Sequence, residues 1–541
     1  MALSKLYYVY GLDTACFYTD EENEIEKRII KARFLKSKIK SKYKTYENKI
    51  KTLKMLNQII NNSKQDLKDL LHSNIDVCRV VREDKILDKN KNPSMKRRVS
   101  IFDSNLTRCF GLKERGFNEE ILIVKVYFFD VAESIIKNGF YMKGNKYVFF
   151  SASAGQIRTK KLVAVREDLL NKYWNTLTAG LTKEKINNLG GMNINKFLAY
   201  LSLSNSGTDL WEDFDIDRCI VVDDFENTVH GVVDYIDDKT FKITRMEHDL
   251  PLAQIDGAGM ILSTLSKVNF MVRLPWVKGL LAVFDFIRFI KEHNASPIVT
   301  DIYGDNHDII KENIQIIFTK SQFKMWKYFK NWDEYKDNFK KYNCSAAKCN
   351  EEDEFSDASI NYQMIQTLSD LNDDEIKELA KINNDDLCNL SSDMKTMLKV
   401  FGAVSWNNNK NGFQKCLEKY PELLSDAYSR QTLKEIKNKL EKELWSSKFN
   451  IQGKYTFVIP DLYAFCEWLF LKDENPRGLL EDGYVCCKLF KDGEKLDCLR
   501  SPHLFTEHPI RVNSTKSDWY LTNAIYISSH DFISRIVQCD K

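Results

Sequence analysis

The chain has 541 residues, 43% of them hydrophobic and 29% charged, a composition typical of globular proteins with several domains. No apolar run approaches the roughly 20 residues of a transmembrane helix, and the opening residues lack the apolar core of a secretory signal. The net charge of +3 indicates no partner by itself. The 13 cysteines form no CxxC pair, which favours reduced thiols in a cytoplasmic protein without membrane segments.

The N-terminal region, 1–75, contains a strongly basic segment. Twelve lysines and arginines stand between Lys27 and Lys54 against one acid, Glu47. Apolar residues recur there every three or four positions, which predicts one long amphipathic helical arm. The arm is suited to contact nucleic-acid phosphates, but a charged run is more often a solvated helix face.

The remaining chain alternates between strand-rich and helix-rich segments. Period-2 and β-branched runs predict strands, and spacings of three and four predict helices. The boundaries that follow are 76–205 for a mixed α/β region, 206–314 for a first β-rich domain, 315–450 for a helical insertion and 451–541 for a second β-rich domain.

A first candidate binding segment follows the run that ends at Phe150. Small residues there lead into Gln156 and Arg158, with Lys160 and Lys161 close behind. A guanidinium can donate two parallel hydrogen bonds to anionic oxygens, so this cluster is suited to a phosphate or a template backbone. Taken alone, an ordinary charged surface turn is the more frequent interpretation.

A second segment combines glycines with two cations. Gly257 and Gly259 flank a predicted strand, where glycine permits a sharp turn and close approach of another chain. Arg273 and Lys278 follow within an R-x-P-x-x-K-G pattern, about one strand apart, and would meet a triphosphate.

A third segment lies between residues 300 and 324. Its acid-rich turn, 301–308, lacks the alternation of a calcium-binding loop, which favours a structural turn. Lys324 is either a second phosphate contact or a lysine on a helix face, and the sequence does not separate the two.

The fourth segment is near the end of the sequence. Pro502 fixes the backbone between Arg500 and His503, so that Arg500 would be held towards a ribose or a phosphate. The run 532–539 is predicted to be a strand that leads into Asp540.

A cluster of acids offers an alternative metal site. Asp213, Asp215 and Asp217 would share one face of an extended strand. However, β-branched Ile216 stands where a tight metal loop would need glycine, so a solvated strand edge is the favoured interpretation.

The segments S-A-S-A-G-Q-I-R, D-G-A-G, R-L-P-W-V-K-G and R-S-P-H, in this order, resemble the core of eukaryotic-type RNA-dependent RNA polymerases and their single-chain phage and bacterial relatives. The resemblance covers 149–541 in patches. It implies an α+β fold with two double-psi β-barrels separated by the helical insertion, plus the N-terminal arm. Gln156, Arg158, Arg273 and Lys278 would line the first barrel, whereas Arg500 and Asp540 would belong to the second.

In that family three aspartates hold two Mg²⁺ ions, which activate a 3′-hydroxyl and clamp the leaving pyrophosphate. The resemblance makes Asp540 the first of these metal ligands. The catalytic residues would then be Lys278, Arg273, Arg500 and Asp540. The nucleotide- or template-binding residues would be Gln156, Arg158, Lys160, Lys161, Lys324 and His503. Because no further G-D follows Lys541, the expectation is an N-terminal portion completed by a downstream segment or a second chain.

The expected function is template-directed RNA synthesis from nucleoside triphosphates, with an RNA template favoured. The alternatives are a DNA-dependent phage-type RNA polymerase, a non-catalytic nucleic-acid-binding protein, and a hydrolase built on Asp213, Asp215 and Asp217. No residue pattern distinguishes the sugar of the template, since recognition of the 2′-hydroxyl depends on groove geometry.

Overall fold

The computed structural model describes residues 5–42, 46–352, 357–366, 368, 370–405, 407, 410–500, 508–516 and 518–539. Three β-sheet units and one helical region follow each other along this part of the chain. None of its helices combines the length and the apolar character that crossing a membrane requires.

The N-terminal unit is a mixed seven-stranded sheet with helices around it. Its strands are β1 (Leu6–Asp13), β2 (Arg79–Val80), β3 (Arg98–Phe102), β4 (Phe117–Lys125), β5 (Phe140–Met142), β6 (Asn145–Ser151) and β7 (Lys161–Arg166). Its helices are α1 (Asp20–Lys42), α2 (Tyr46–Ser73), α3 (Glu83–Ile86), α4 (Asn105–Cys109), α5 (Phe129–Asn138), α6 (Ala154–Arg158) and α7 (Glu167–Thr178). The strand order is β2-β5-β6-β7-β4-β1-β3.

The basic arm is two packed helices, not the single long helix that the periodicity predicted. Ala32 of α1 is buried with Leu56 and Ile60 of α2, and Lys36 Nζ donates a 2.6 Å hydrogen bond to Asn57. Apolar residues keep the same spacing through both helices, so the sequence does not indicate where the chain reverses direction between α1 and α2. Residues 43–45 lie outside the described part.

The central unit begins with two short helices and then forms a second seven-stranded sheet. Its elements are α8 (Lys183–Asn188), α9 (Ile194–Leu201), β8 (Asp209–Leu210), β9 (Cys219–Val222), β10 (Glu226–Ile236), β11 (Ile243–Ala253), β12 (Ala258–Ile261), β13 (Phe270–Leu274), β14 (Val277–Val283), α10 (Phe286–Glu292), β15 (Ile298–Thr300), β16 (Asn306–Asp308), β17 (Ile316–Thr319), α11 (Trp332–Lys341) and β18 (Ala347–Cys349). The sheet order is β8-β18-β13-β14-β12-β17-β9, while β10 pairs with β11 and β15 with β16. Parallel and antiparallel pairs alternate irregularly, and the double-psi topology stays a prediction.

The helical region begins later than position 315. Strands β17 and β18 belong to the central sheet, through pairing with β9, β12 and β13. The helical region comprises β19 (Asp357–Ile360), α12 (Tyr362–Ile365), α13 (Asp373–Leu379), α14 (Lys381–Asn389), α15 (Met394–Phe401), α16 (Gly412–Lys419), α17 (Ala427–Trp445) and β20 (Phe449–Lys454). Strands of three or four buried residues, such as β17 and β18, are too short for periodicity to separate them from helix.

The C-terminal unit is a five-stranded sheet. It contains β21 (Val458–Pro460), α18 (Leu462–Cys466), β22 (Tyr484–Cys487), β23 (Lys495–Asp497), β24 (Ile510–Asn513), β25 (Ile525–Ile527) and α19 (Phe532–Cys539), with the strand order β21-β25-β22-β24-β23.

The predicted strand 532–539 is therefore wrong: this segment is helix α19. Asp531 begins the helix by accepting a 3.0 Å hydrogen bond from Ser534 N, a typical N-terminal cap. Apolar residues occur in adjacent pairs four positions apart in this segment, a spacing that fits one helix face.

The central and C-terminal sheets share one hydrophobic core. Ile220, Met260 and Leu280 of the central unit pack in it with Phe465 and Tyr526 of the C-terminal unit. The two β-rich regions are therefore packed against each other.

Candidate nucleotide-binding site

Three predicted cations converge on one edge of the central unit. Arg273 of β13 and Lys278 of β14 are direct cross-strand partners, and such partners have Cβ atoms about 5 Å apart on one face. Lys324 joins them because its backbone N–H donates a 2.9 Å hydrogen bond to Trp276, in the turn between β13 and β14. Lys324 lies in a turn, so the helix-face interpretation was wrong.

The cation cluster, Arg273, Lys278 and Lys324, repels itself electrostatically. Burial lowers the pKa of Lys278, and the neighbouring positive charges of Arg273 and Lys324 lower it further. Burial also lowers the pKa of Arg273, whose buried Nε has no hydrogen-bond partner in the described residues. Within the described residues, neither Lys278 nor Lys324 makes an ion pair. An anion placed there would relieve the repulsion.

The glycines of this region allow the strands to approach closely. A Cβ atom at Gly259 would lie 2.4 Å from the Ile317 carbonyl oxygen, and one at Gly279 would lie 2.4 Å from the Gly257 carbonyl oxygen. Gly257 has φ of +68°, a conformation that favours glycine. The prediction of turning and close approach is confirmed.

Buried Gln322 fills the space that these glycines leave, and sequence reasoning missed it. Its Nε2 donates a 2.9 Å hydrogen bond to the Leu280 carbonyl oxygen, and its Oε1 accepts one of 3.0 Å from Thr319 N. Gln322 therefore fixes the turn that carries Lys324.

A second, mixed-charge group lies next to the cation cluster and was also missed. Strands β9 and β17 are parallel, so their carboxyl ends coincide. Lys320 Nζ lies 2.7 Å from Asp223 Oδ1, and Ser321 Oγ donates a 2.6 Å hydrogen bond to Asp224. The acid pair directly after the buried run 219–222 was the available sequence signal.

These groups line an open cavity of about 540 Å³ together with Lys324. Burial raises the pKa of Asp224, and the charge of Asp256 acts in the same direction. The cavity therefore combines lysine side chains with a carboxyl group, Asp224, whose protonated form is favoured.

The described residues do not supply a complete metal site. They contain no group of three or more His, Cys, Asp or Glu side chains positioned to hold an ion. The predicted ligand Asp540 and the predicted contact His503 both lie outside the described residues. The binding of two Mg²⁺ ions therefore stays a prediction.

The Gln156 segment belongs to the N-terminal sheet and not to the first β-rich domain, which corrects the expected grouping. Gln156 forms a capping box with Ser153, in which Ser153 N donates a 2.8 Å hydrogen bond to Gln156 Oε1. Arg158, Lys160 and Lys161 are exposed. The Gln156 side chain is thus occupied by helix capping, whereas the three cations face solvent.

Arg500 lines a different cleft from the cation cluster. That cleft has a volume of about 310 Å³ and lies between β19, β20 and the C-terminal sheet, with Lys454 and Ser534 also in its wall. The structure therefore does not place Arg500 in the cavity that Lys324 lines.

The alternative acid site is engaged in structural contacts. Asp215 caps a short helical turn and pairs with Arg218, while Asp217 Oδ1 lies 2.9 Å from Lys340 Nζ. The acid-rich turn is a structural one, because Asp301 Oδ1 accepts hydrogen bonds from Tyr303 N and Asp305 N.

Comparison with known proteins gives one strong similarity. Over 542 aligned positions the chain is 44% identical to the DNA-directed RNA polymerase YonO of Bacillus phage SPbeta, an alignment that includes 99% of this chain. The chain spans 63% of the length of that relative. No family model matches the sequence. The similarity supports a relationship to RNA polymerases, in agreement with the polymerase class that the motifs indicated.

Proposed function

We propose that this chain takes part in template-directed RNA synthesis from nucleoside triphosphates, with DNA as the template. The similarity to a phage DNA-directed RNA polymerase along 99% of the chain is the observation that carries the proposal. It supports the DNA-dependent alternative over the RNA template that the sequence motifs favoured.

The cation cluster is the proposed triphosphate contact. Lys278 and Lys324 have no ion-pair partner in the described residues, and Arg273 holds its guanidinium beside them with Nη1 2.8 Å from its own strand's Val272 carbonyl oxygen. Cations in a partly buried site bind phosphates more strongly than exposed ones, because the local dielectric is lower. The role of this cluster would be to hold the incoming triphosphate.

RNA synthesis tests the proposal directly. The purified chain, supplemented with the part of the phage polymerase that the alignment does not include, should synthesise RNA complementary to a DNA template in the presence of Mg²⁺ and four labelled nucleoside triphosphates. An RNA template should give much less product. Product that is independent of template sequence, or made on RNA alone, would contradict the proposal.

Nucleotide binding tests the site separately. A fluorescent ATP analogue should bind the wild-type chain, and Lys278→Ala together with Lys324→Ala should weaken binding by about tenfold or more, since each removes a charge-assisted contact. Lys434→Ala with Lys442→Ala, on helix α17, is the matched control. Equal affinity of both double variants would place the nucleotide elsewhere.

A further inference from the structure

A large aromatic groove opens between the N-terminal unit and helices α8 and α9 of the central unit. It has a volume of about 940 Å³ and is bounded by the β4–α5 connection, the α6–β7 turn and helices α7 to α9. Its walls are mostly apolar, and its exposed rings are unusual for a protein surface: Phe129 is 78% exposed and Tyr127 56%. Exposed apolar surface of this extent, when contiguous, marks a binding site.

The charges around the groove have one sign. Lys160, Lys161 and Lys183 line it, and no carboxylate is among its lining residues. None of these three lysines forms an ion pair with a described carboxylate. By contrast, Lys143 and Lys146 of the same sheet pair with Glu119 and Glu167. The three lysines of the groove are therefore available to an anionic ligand.

Three lysine side chains lie close to two of the rings. Lys125 Nζ lies 5.4 Å from the centroid of the Tyr127 ring, and Lys160 Nζ lies 5.8 Å from it. Lys183 Nζ lies 5.4 Å from the ring centroid of Trp174. The rings of Tyr127 and Trp174 thus each have a positive charge beside them and apolar surface around them.

From this arrangement we propose that the groove binds single-stranded nucleic acid, namely the RNA transcript. A single strand carries one phosphate and one flat base at every step, which matches a surface that combines unpaired cations with exposed rings. An amphipathic acidic helix would also bury apolar surface, but it would not stack flat groups on the exposed rings. That the strand is RNA rests on the proposed function.

Helix α9 connects the groove to the candidate site. Its Leu198 and Leu201 line the groove, and its Tyr200 lines the 540 Å³ cavity that contains Lys324. A strand in the groove would thus lie one helix away from the proposed triphosphate contact.

Binding of a fluorescein-labelled oligouridine of about 12 nucleotides, measured by anisotropy, tests the groove. Tyr127→Ala with Phe129→Ala should weaken binding by about tenfold or more, since each removes a stacking platform. Tyr362→Ala with Tyr420→Ala, two tyrosines that are 57% and 59% exposed in the helical region, should leave binding unchanged. Circular dichroism and the unfolding midpoint would verify that both double variants are folded.

The charged rim gives a second measurement. Lys160→Gln with Lys161→Gln should lower the slope of log affinity against log salt by about one to two, because each phosphate contact contributes roughly 0.7 for a single strand. A 4-thiouridine in the oligonucleotide should crosslink to peptides of the groove.

Three results would overturn the inference. Unchanged oligouridine binding in the Tyr127 and Phe129 double variant would indicate that the groove binds a protein partner instead of RNA. Crosslinks confined to helices α1 and α2 would place the strand on the basic arm. Markedly tighter binding of oligothymidine than of oligouridine would exclude the transcript as the ligand. Because no RNA synthesis is involved, these results are separable from failure of the proposed function.

Discussion

Lys278 has a pKa that its surroundings lower, and this has a consequence for ligand binding. Burial and the charges of Arg273 and Lys324 all favour its neutral form. A triphosphate would favour the charged form instead, because opposite charges within a few ångströms raise the pKa of a lysine. Binding should therefore be coupled to proton uptake at pH values near and above the lowered pKa of Lys278.

We predict that affinity for a non-hydrolysable ATP analogue falls as pH rises through the lowered pKa of Lys278, below the ordinary lysine value. The sign follows because the free site loses its proton in that interval, and binding must then restore it. Isothermal titration calorimetry at a series of pH values measures the effect.

Lys278→Arg is the informative variant, since arginine stays charged in this range. It should flatten the pH dependence, whereas Lys442→Arg on helix α17 should retain it. A wild-type affinity that does not vary with pH would refute the coupling.

At the scale of elements, the close packing of the central strands depends on glycines, which have no Cβ atom. The Gly257 carbonyl oxygen and the Gln322 amide occupy the space where a Cβ of Gly279 would lie, at 2.4 Å and 2.3 Å. Both neighbours are fixed, one as backbone and the other by its hydrogen bond to the Leu280 carbonyl oxygen. The sheet therefore cannot accommodate a Cβ atom at Gly279 without a cost in free energy.

Gly279→Ala should lower the free energy of unfolding by about 1–3 kcal/mol, the usual cost of overpacking a fixed interior. Urea denaturation measures the change. Gly412→Ala is the control, because no atom lies within 4 Å of a Cβ there and Gly412 begins helix α16. The packing argument fails if both variants have equal stability.

At the scale of the whole molecule, Asn269 joins the central sheet to the C-terminal sheet. Its Nδ2 donates a 2.7 Å hydrogen bond to Thr522, and its Oδ1 accepts one of 2.8 Å from Val283 N. Its backbone N–H donates to Glu352, and burial raises the pKa of that carboxyl. These contacts fix the two sheets that the shared core brings together.

Asn269→Ala should destabilise the protein by about 1–3 kcal/mol for each buried polar group left unsatisfied. The loss should appear in thermal unfolding and as faster hydrogen exchange at Val283 N. Asn438→Ala, at an exposed position of helix α17, should be neutral. An unchanged midpoint of thermal unfolding in Asn269→Ala would show that these contacts do not hold the two sheets together.

The sequence by itself determined the order of strand-rich and helix-rich regions, the role of Gly257 and Gly259, and the proximity of Arg273 to Lys278. These follow from local patterns: periodicity, backbone freedom and the short separation of two residues along the chain. It also indicated the polymerase class, through motif order.

Only the tertiary structure decided which distant segments meet. The parallel pairing of β9 with β17 brought Ser321 to Asp224 across about 100 residues of chain. The backbone hydrogen bond from Lys324 to Trp276 brought Lys324 to Lys278. Helix α19 and the folding of the arm into α1 and α2 were not predicted, because a run of eight residues or a continuous apolar period fits more than one structure. Long-range packing selects among such local alternatives, since it supplies the burial that each segment alone lacks.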